Sequence, residues 1–194
     1  APQPMQQYMG IPVILFRDTN WSPDFPTSAE LARSFYLQDT GVKVDGVVSI
    51  DMHSVQKLVE ALGPLRVAGA EQEVTGSNIV DFIKEVWARP LESEAEVDTR
   101  ANRDWWSQRK EFMPALAGAA LQKLESGNVN YPALAEAALL SLDERSIQVW
   151  LTNAEAQPLF AELGWDGSLY SPGGSDFLAL VDTNLGYNKV NSVI

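Results

Sequence analysis

Five cationic side chains are the residues of this sequence best suited to chemistry on a phosphate group. They are Arg17, Arg100, Arg103, Arg109 and Lys110. A guanidinium group can contact two phosphate oxygens at once, and converging cations stabilise the charge that develops on a transferred phosphoryl group. The alternative is that each cation is a surface residue, or pairs with Asp18, Asp104 or the acids between Glu92 and Glu96. Both interpretations stay open at this point.

Three aspartates, Asp18, Asp24 and Asp104, lie close to these cations in the sequence and could orient them. Asp18 and Asp24 could also bind a metal ion, because hard cations prefer carboxylate oxygens. An aspartate beside a proline more often serves a turn or a helix cap. We favour that second role and predict no metal site from these residues.

Other common catalytic groups are scarce. The sequence has one histidine, His53, and no cysteine, which excludes disulfides, thiolate nucleophiles and Cys/His zinc sites within it. His53 follows a predicted helix cap and is expected to be a solvated ring rather than a catalytic base. The turn at residues 171–174 lacks the Gly-Lys-Ser/Thr ending of a phosphate-binding loop, and there is no Gly-x-Ser-x-Gly nucleophile elbow.

Composition narrows the classes of protein further. The 194 residues suit one domain, and 14 basic against 26 acidic residues argue against a nucleic-acid binder. The absence of cysteine fits an extracytoplasmic location. No apolar run approaches the roughly 20 residues of a membrane span. The abrupt start at residues 1–4 predicts a fragment that, in the full-length protein, reaches the membrane only through a missing anchor.

The elements that must position these residues are clearest around residues 44–65. Val44–Ile50 is an apolar stretch typical of a buried strand, and Asp51 stands where a helix N-cap is needed. Residues 52–62 carry an apolar stripe at the helical period, Gly63 follows the helix, and a second strand begins at Leu65. This strand-helix-strand unit predicts an α/β fold with a central, mostly mixed sheet covered by helices.

The rest of the chain extends this prediction to five or six strands and about six helices. Residues 1–12 are expected to be irregular, and Val13–Phe16 to be a short strand. Thr27 or Ser28 is expected to cap a helix that ends near Gly41. A long helix from about residue 100 to 124 is expected to bury five residues: Met113, Leu116, Ala117, Ala120 and Leu124. We predict a single domain over residues 1–194.

Six phrases follow one another in order along nearly the whole chain: residues 17–26, 44–51, 63–64, 109–112, 164–167 and 181–189. Together they resemble a family of bacterial envelope proteins known as domain of unknown function 4012. Members of that family typically carry an N-terminal transmembrane segment and further sequence on both sides of this region. The resemblance therefore implies a bacterial, membrane-anchored envelope protein.

A second resemblance rests on the order of elements. The order resembles that of the LytR-CpsA-Psr envelope phosphotransferases. It consists of a strand, Arg17-Asp18-Thr19, a helix, a strand ending in Asp51 and the helix phrase at residues 58–63. In that family an arginine-rich pocket holds the pyrophosphate of a polyprenyl-linked polymer, and a divalent metal assists its transfer to the cell wall. The resemblance implies that Arg17 and the region 100–110 supply the phosphate-binding cations, and that the fold is LytR-CpsA-Psr-like.

The chain departs from that family in two respects. Ser107 stands where the second arginine cluster of the family has an arginine, and the spacing to Arg109 differs by one residue. The family's metal-binding aspartates precede its Arg-Asp motif, so they would fall before Ala1. A magnesium ion is therefore implied only with residues upstream of this chain. This fragment alone is expected to be inactive, and whether the full-length protein is an enzyme stays open.

Two functions follow from the sequence. The first is an extracytoplasmic domain that binds, through the arginine pocket, a polyprenyl-phosphate-linked glycan or cell-wall polymer. The second is a non-catalytic module of the cell envelope that binds a glycan or a protein.

Overall fold

The computed structural model of this chain describes residues 1–87 and 100–169, together with 173, 174 and 178; for 86, 87 and 100–110 it describes the backbone only. It contains seven α-helices, one 3₁₀ helix and two strands within these residues. The helices are α1 Gln3–Met9, α2 Phe25–Thr40, α3 Met52–Leu62, α4 Ile79–Trp87, α5 Arg100–Glu125, α6 Tyr131–Asp143 and α7 Gln157–Glu162. The 3₁₀ helix is Phe16–Trp21, and the strands are β1 Gly46–Ile50 and β2 Ile147–Leu151.

The chain divides into two compact units. The first comprises Ala1–Ser49 with Gln148–Ile194, and the second comprises Ile50–Ile147. The single domain expected over residues 1–194 stays a prediction.

The first unit begins with a helix where an irregular segment was expected. Helix α1 has a proline in its first turn, buries Met5 and ends at Gly10, whose φ of 64° is a left-handed conformation. The strand expected at Val13–Phe16 is also wrong, because Phe16 already opens the 3₁₀ helix. Four apolar residues are compatible with several structures, and here the Asp18 carboxylate accepts from the Leu15 backbone N–H and favours a helical turn.

Helix α2 begins earlier than the sequence suggested. Asp24 is its N-cap, and the side chain accepts from the Thr27 backbone N–H at 3.1 Å. Thr27 and Ser28, the predicted caps, lie within the first turn. The predicted end is confirmed, since Gly41 adopts φ 72° and its N–H bonds to the Leu37 carbonyl.

Within the described residues the sheet has two strands. Strands β1 and β2 form an antiparallel pair, because Thr152 N–H bonds to the Asp45 carbonyl while Asp51 N–H bonds to the Ser146 carbonyl. The α/β prediction is confirmed in its general form as a helix-rich chain with a small sheet. The burial expected for β1 is wrong, because its last three residues are exposed. On β2, Ile147 and Trp150 are buried.

Helix α3 confirms the clearest prediction from the sequence. The Asp51 carboxylate accepts from the Ser54 backbone N–H at 2.8 Å, and the helix ends before Gly63 as expected. Val59 and Leu62 of its apolar stripe are buried. The strand expected after it is reduced to one antiparallel bridge between Leu65 and Val74.

The hydrophobic core of the second unit joins α3, α4 and α5 with the segment between α3 and α4. Its buried members are Val59, Leu62, Leu65, Val67, Val74, Ile79, Ile83, Phe112 and Leu116. On α5 the predicted face is only partly right: Leu116 is buried, but Met113 and Ala117 are exposed, and Phe112 takes the place of Met113 in the core. Pro114 lies inside α5, which continues through it.

Candidate functional site

Arg17 lies in the first turn of the 3₁₀ helix, on a backbone fixed by both of its neighbours. The Asp18 carboxylate accepts from the Leu15 N–H at 3.0 Å, and the buried Thr19 donates its hydroxyl hydrogen bond to the Phe16 carbonyl at 2.9 Å. These two bonds close the turn from both sides. The position of the Arg17 Cα is therefore set by local hydrogen bonds.

The Arg17 guanidinium is open to solvent. Its side chain is 76% exposed, and its Nε lies 3.7 Å from Asp18 Oδ1, a long contact for an ion pair. The preceding Val13, Leu15 and Phe16 are also exposed, although they are large and apolar. Arg17 thus combines an accessible cation with adjacent exposed apolar surface.

A shallow groove lies beside this segment. It has a volume of about 520 Å³ and is lined by Ala1, by residues 12–16 and by Phe35, Gln38 and Asp39. Most of its lining residues are apolar, and Asp39 is the one acidic side chain among them. No lysine or arginine lines the groove.

Asp24 is a structural carboxylate. One of its oxygens accepts from the Thr27 N–H, and the other accepts from the Leu169 N–H at 3.0 Å. Burial alone would raise its pKa, but the hydrogen bonds from the Thr27 hydroxyl and from the Leu169 and Thr27 N–H groups outweigh that effect and hold the pKa below its ordinary value. Asp24 is therefore an ionised cap, as the sequence interpretation favoured.

The described residues do not form a metal site. Among them no group of three or more histidine, cysteine, aspartate or glutamate side chains is placed to hold an ion. Asp24, a metal candidate of the sequence, accepts from backbone N–H groups at both oxygens, and Asp18 does so at one oxygen.

The sequence interpretation assigned no role to Asp166, which is a buried carboxylate. Its side chain is 4% exposed and accepts from the Ser168 N–H at 3.0 Å, the Ser168 hydroxyl at 2.8 Å and Gln157 Nε2 at 3.3 Å. The side-chain amide oxygen of Gln157 in turn accepts from the Leu151 N–H. The only signal in the sequence was the phrase at residues 164–167, which carried the family resemblance without a role.

Two of the phrases that carried that resemblance meet in the first unit. The Phe25 N–H donates to the Gly167 carbonyl at 3.2 Å, and the Leu169 N–H donates to Asp24. Gly167 has φ 64°, and a Cβ there would lie 2.5 Å from Cδ of Gln148. Asp24, the turn around it and Gly167 therefore depend on one another for this local structure.

The second set of predicted cations lies in the other unit, on α5. Arg100, Arg103, Asp104, Arg109 and Lys110 all fall within this helix, and their side chains lie outside the described part of the structure. The acids at 92–96, their alternative partners, lie outside it as well. Convergence of these cations on a phosphate therefore stays a prediction.

His53 is the exposed ring expected from the sequence. Its side chain is more than half exposed, and its Nε2 lies 3.7 Å from Glu144 Oε2. Lys57 Nζ donates to the same Glu144 oxygen. The Asp51 cap nearby has a lowered pKa: burial would raise it, but the Ser54 N–H, the Ser146 hydroxyl and the charge on His53 lower it.

The described helices include none that is both long and apolar enough to cross a bilayer.

Neither a search of curated proteins nor a search of solved structures finds a match to this chain. The resemblance beyond residue 87 and the likeness to the LytR-CpsA-Psr family stay predictions. Residues 1–87, which contain the Arg17 turn, β1 and α3, match the model of a family described as "Protein of unknown function (DUF4012)", and this part of the chain is therefore similar to that family.

Proposed function

We propose that this chain is the extracytoplasmic part of a membrane-anchored envelope protein and binds a polyprenyl-phosphate-linked glycan, with Arg17 contacting the phosphate. The observation that carries the proposal is the 76% exposure of the Arg17 side chain, with one acidic contact at 3.7 Å. A guanidinium that is not committed to a close carboxylate keeps its donors available for phosphate oxygens.

The surroundings of Arg17 suit an amphiphilic ligand. Leu15 and Phe16 precede it and are about half exposed. Apolar side chains beside the cation would cover the first isoprene units of such a ligand, since burial of apolar surface is favourable. Arg100, Arg103, Arg109 and Lys110 would add cations in a LytR-CpsA-Psr-like arrangement.

In this proposal the described residues recognise the ligand and take no part in group transfer. Asp24 accepts from backbone N–H groups at both oxygens and Asp18 at one, and we assign both a structural role. The resemblance places the metal-binding aspartates of the transferases upstream of this chain. No transfer step is assigned to the residues described.

The second candidate function is a non-catalytic glycan- or protein-binding module of the envelope. The specific observation in its favour is the exposure of Val48 and Ile50, two apolar residues of β1. Such a surface is usual where a protein partner binds.

Calorimetric titration with a short-chain polyprenyl pyrophosphate, with and without magnesium, tests the first proposal. Arg17→Ala should weaken binding roughly tenfold or more, because hydrogen bonds to charged groups contribute about 1.5–3 kcal/mol. Arg66→Ala is the matched control, since Arg66 is also highly exposed and pairs with one acid, Glu73. It should leave binding unchanged.

Two results would reject the proposal. One is the absence of saturable binding by protein that is shown to be folded. The other is an equal loss of affinity in both variants, which would mean that the ligand responds to overall charge rather than to Arg17.

A further inference from the structure

The two edges of the small sheet differ. Asp45 bonds to Thr152, and Asp51 bonds to Ser146. In an antiparallel pair with this register, the backbone N–H and C=O groups of the odd-numbered residues of β1 point toward β2. The backbone groups of Gly46, Val48 and Ile50 therefore point away from β2. On β2 the backbone groups of the odd-numbered residues point away from β1.

The outer edge of β2 is covered. The Val149 N–H donates to the Trp165 carbonyl at 2.9 Å, and the Leu151 N–H donates to the Gln157 side-chain oxygen at 2.7 Å. Along β1, in contrast, the outward N–H groups of Gly46, Val48 and Ile50 have no hydrogen-bond partner among the described residues. This asymmetry leaves one edge of the sheet able to accept a further strand.

The side chains on this edge are apolar and accessible. Val48 is 55% exposed and Ile50 is 50% exposed, and both lie on the same face because side chains alternate along a strand. Within the five residues of β1 there is no charge, no proline and no bulge. Proteins usually protect such an edge with lysine, proline or a bulge, since it otherwise pairs with another chain.

Charge opposes pairing of this edge with a second copy of itself. In a symmetric antiparallel pairing centred on Val48, Asp45 would face Asp51 of the other copy at both ends, and like charges directly opposite each other are destabilising. Lys43 is the one basic residue between positions 43 and 51, against these two aspartates, and the whole chain carries a net charge of −12. Both the local and the overall charge favour a basic partner.

We propose that the outer edge of β1 binds an extended segment of a partner protein, with β-branched residues opposite Val48 and Ile50 and a lysine or arginine at each end. The main-chain hydrogen bonds would supply affinity, and the cations opposite Asp45 and Asp51 would supply selectivity. This surface contains none of the residues of the Arg17 turn, and the proposal goes beyond the phosphate-binding function.

The test uses the full chain and a capped seven-residue peptide of alternating valine and threonine with lysine at both ends. Hydrogen exchange followed by NMR should show slower exchange at the Val48 and Ile50 N–H groups when the peptide is added. A peptide with glutamate at both ends should bind about tenfold more weakly at low salt, because two attractive pairs become repulsive. A peptide with N-methylvaline at its centre should lose the protection.

The protein variant for this test is Val48→Pro, which removes an outward N–H and leaves the bonds to β2 in place. It should lose peptide binding, whereas Val48→Thr keeps the N–H and should retain it. If Val48→Pro fails to fold, the N-methylated peptide alone decides. The proposal is overturned by unchanged exchange at Val48 and Ile50, by equal binding of the lysine and glutamate peptides, or by concentration-dependent protection without peptide, which would identify a second copy as the occupant.

Discussion

Asp24 accepts hydrogen bonds at both carboxylate oxygens, from Thr27 at one and from the Leu169 N–H at the other. The sequence could predict that this aspartate serves a turn or cap, because proline residues flank it on both sides. It could not predict the bond to Leu169, which is a contact between residues far apart in the chain. Asp166 was missed for a different reason: its partners Gln157 and Ser168 are near it in the sequence, but no sequence pattern marks this aspartate as buried.

The lowered pKa of Asp24 predicts a pH dependence of stability. A carboxylate whose pKa is lower in the folded state contributes stability above its unfolded pKa, and this contribution is lost as the pH falls through the folded value. Asp24→Asn keeps an oxygen acceptor but has no charge. Its free energy of unfolding should be below that of the wild type at about pH 6, and the difference should be smaller at about pH 3, which is below the ordinary aspartate pKa of about 3.9. Urea unfolding at both pH values measures this.

The control for that experiment is Asp24→Ala, which removes the acceptor altogether. It should cost about 1 kcal/mol at neutral pH, the usual effect of losing a helix N-cap. A difference between wild type and Asp24→Asn that stayed constant with pH would show that the charge of Asp24 does not stabilise the fold.

Elements with local signals at both ends were predicted well. Helix α3 has a capping aspartate before it, a regular apolar stripe and Gly63 after it, and the structure reproduces all three. The Val13–Phe16 segment has only an apolar run, and its conformation is decided by the hydrogen bond from the Leu15 N–H to Asp18. Burial on α5 was less predictable, because Met113 and Ala117 are exposed although both were expected to be buried.

The segment before α4 packs closely on α3 at Gly76. A Cβ at this position would lie 2.5 Å from Cβ of Glu60 and 2.9 Å from its Cα. Gly76→Ala should therefore destabilise the protein by roughly 1–3 kcal/mol, the usual cost of overpacking. Chemical denaturation measures the change.

Gly118 on α5 provides a control of opposite sign. A Cβ there would meet nothing within 4 Å, and alanine is favoured over glycine inside a helix by roughly 0.5–1 kcal/mol. Gly118→Ala should stabilise the protein. If Gly76→Ala stabilised it as well, the close approach of Gly76 to Glu60 would be wrong.

At the scale of the whole molecule, the general α/β class could be predicted but the sheet could not. The sequence shows which stretches favour strands, and β1 lies within the stretch Val44–Ile50 where a strand was expected. It does not show which strands pair, because pairing depends on contacts between distant residues such as Asp45 with Thr152. For the cations of α5, their positions on a helix were predicted, while their convergence with Arg17 stays a prediction.

The single domain predicted over residues 1–194 should give one cooperative unfolding transition. The chain passes between the two units at residues 49–50 and 147–148, within the paired strands β1 and β2. Loss of this pairing should therefore affect both units. Differential scanning calorimetry should give equal calorimetric and van't Hoff enthalpies. Two separate transitions would show that the units unfold independently.

The most direct test of phosphate recognition is an NMR titration that observes the side-chain Nε–H of Arg17. A short-chain polyprenyl phosphate should shift this resonance in a saturable way, together with the N–H groups of Leu15 and Phe16, while the Arg66 Nε–H stays unchanged. Inorganic phosphate should shift Arg17 more weakly, because it has no apolar tail to contact those side chains. An unchanged Arg17 resonance at saturating ligand, or equal shifts at Arg17 and Arg66, would contradict the proposal that Arg17 recognises the phosphate.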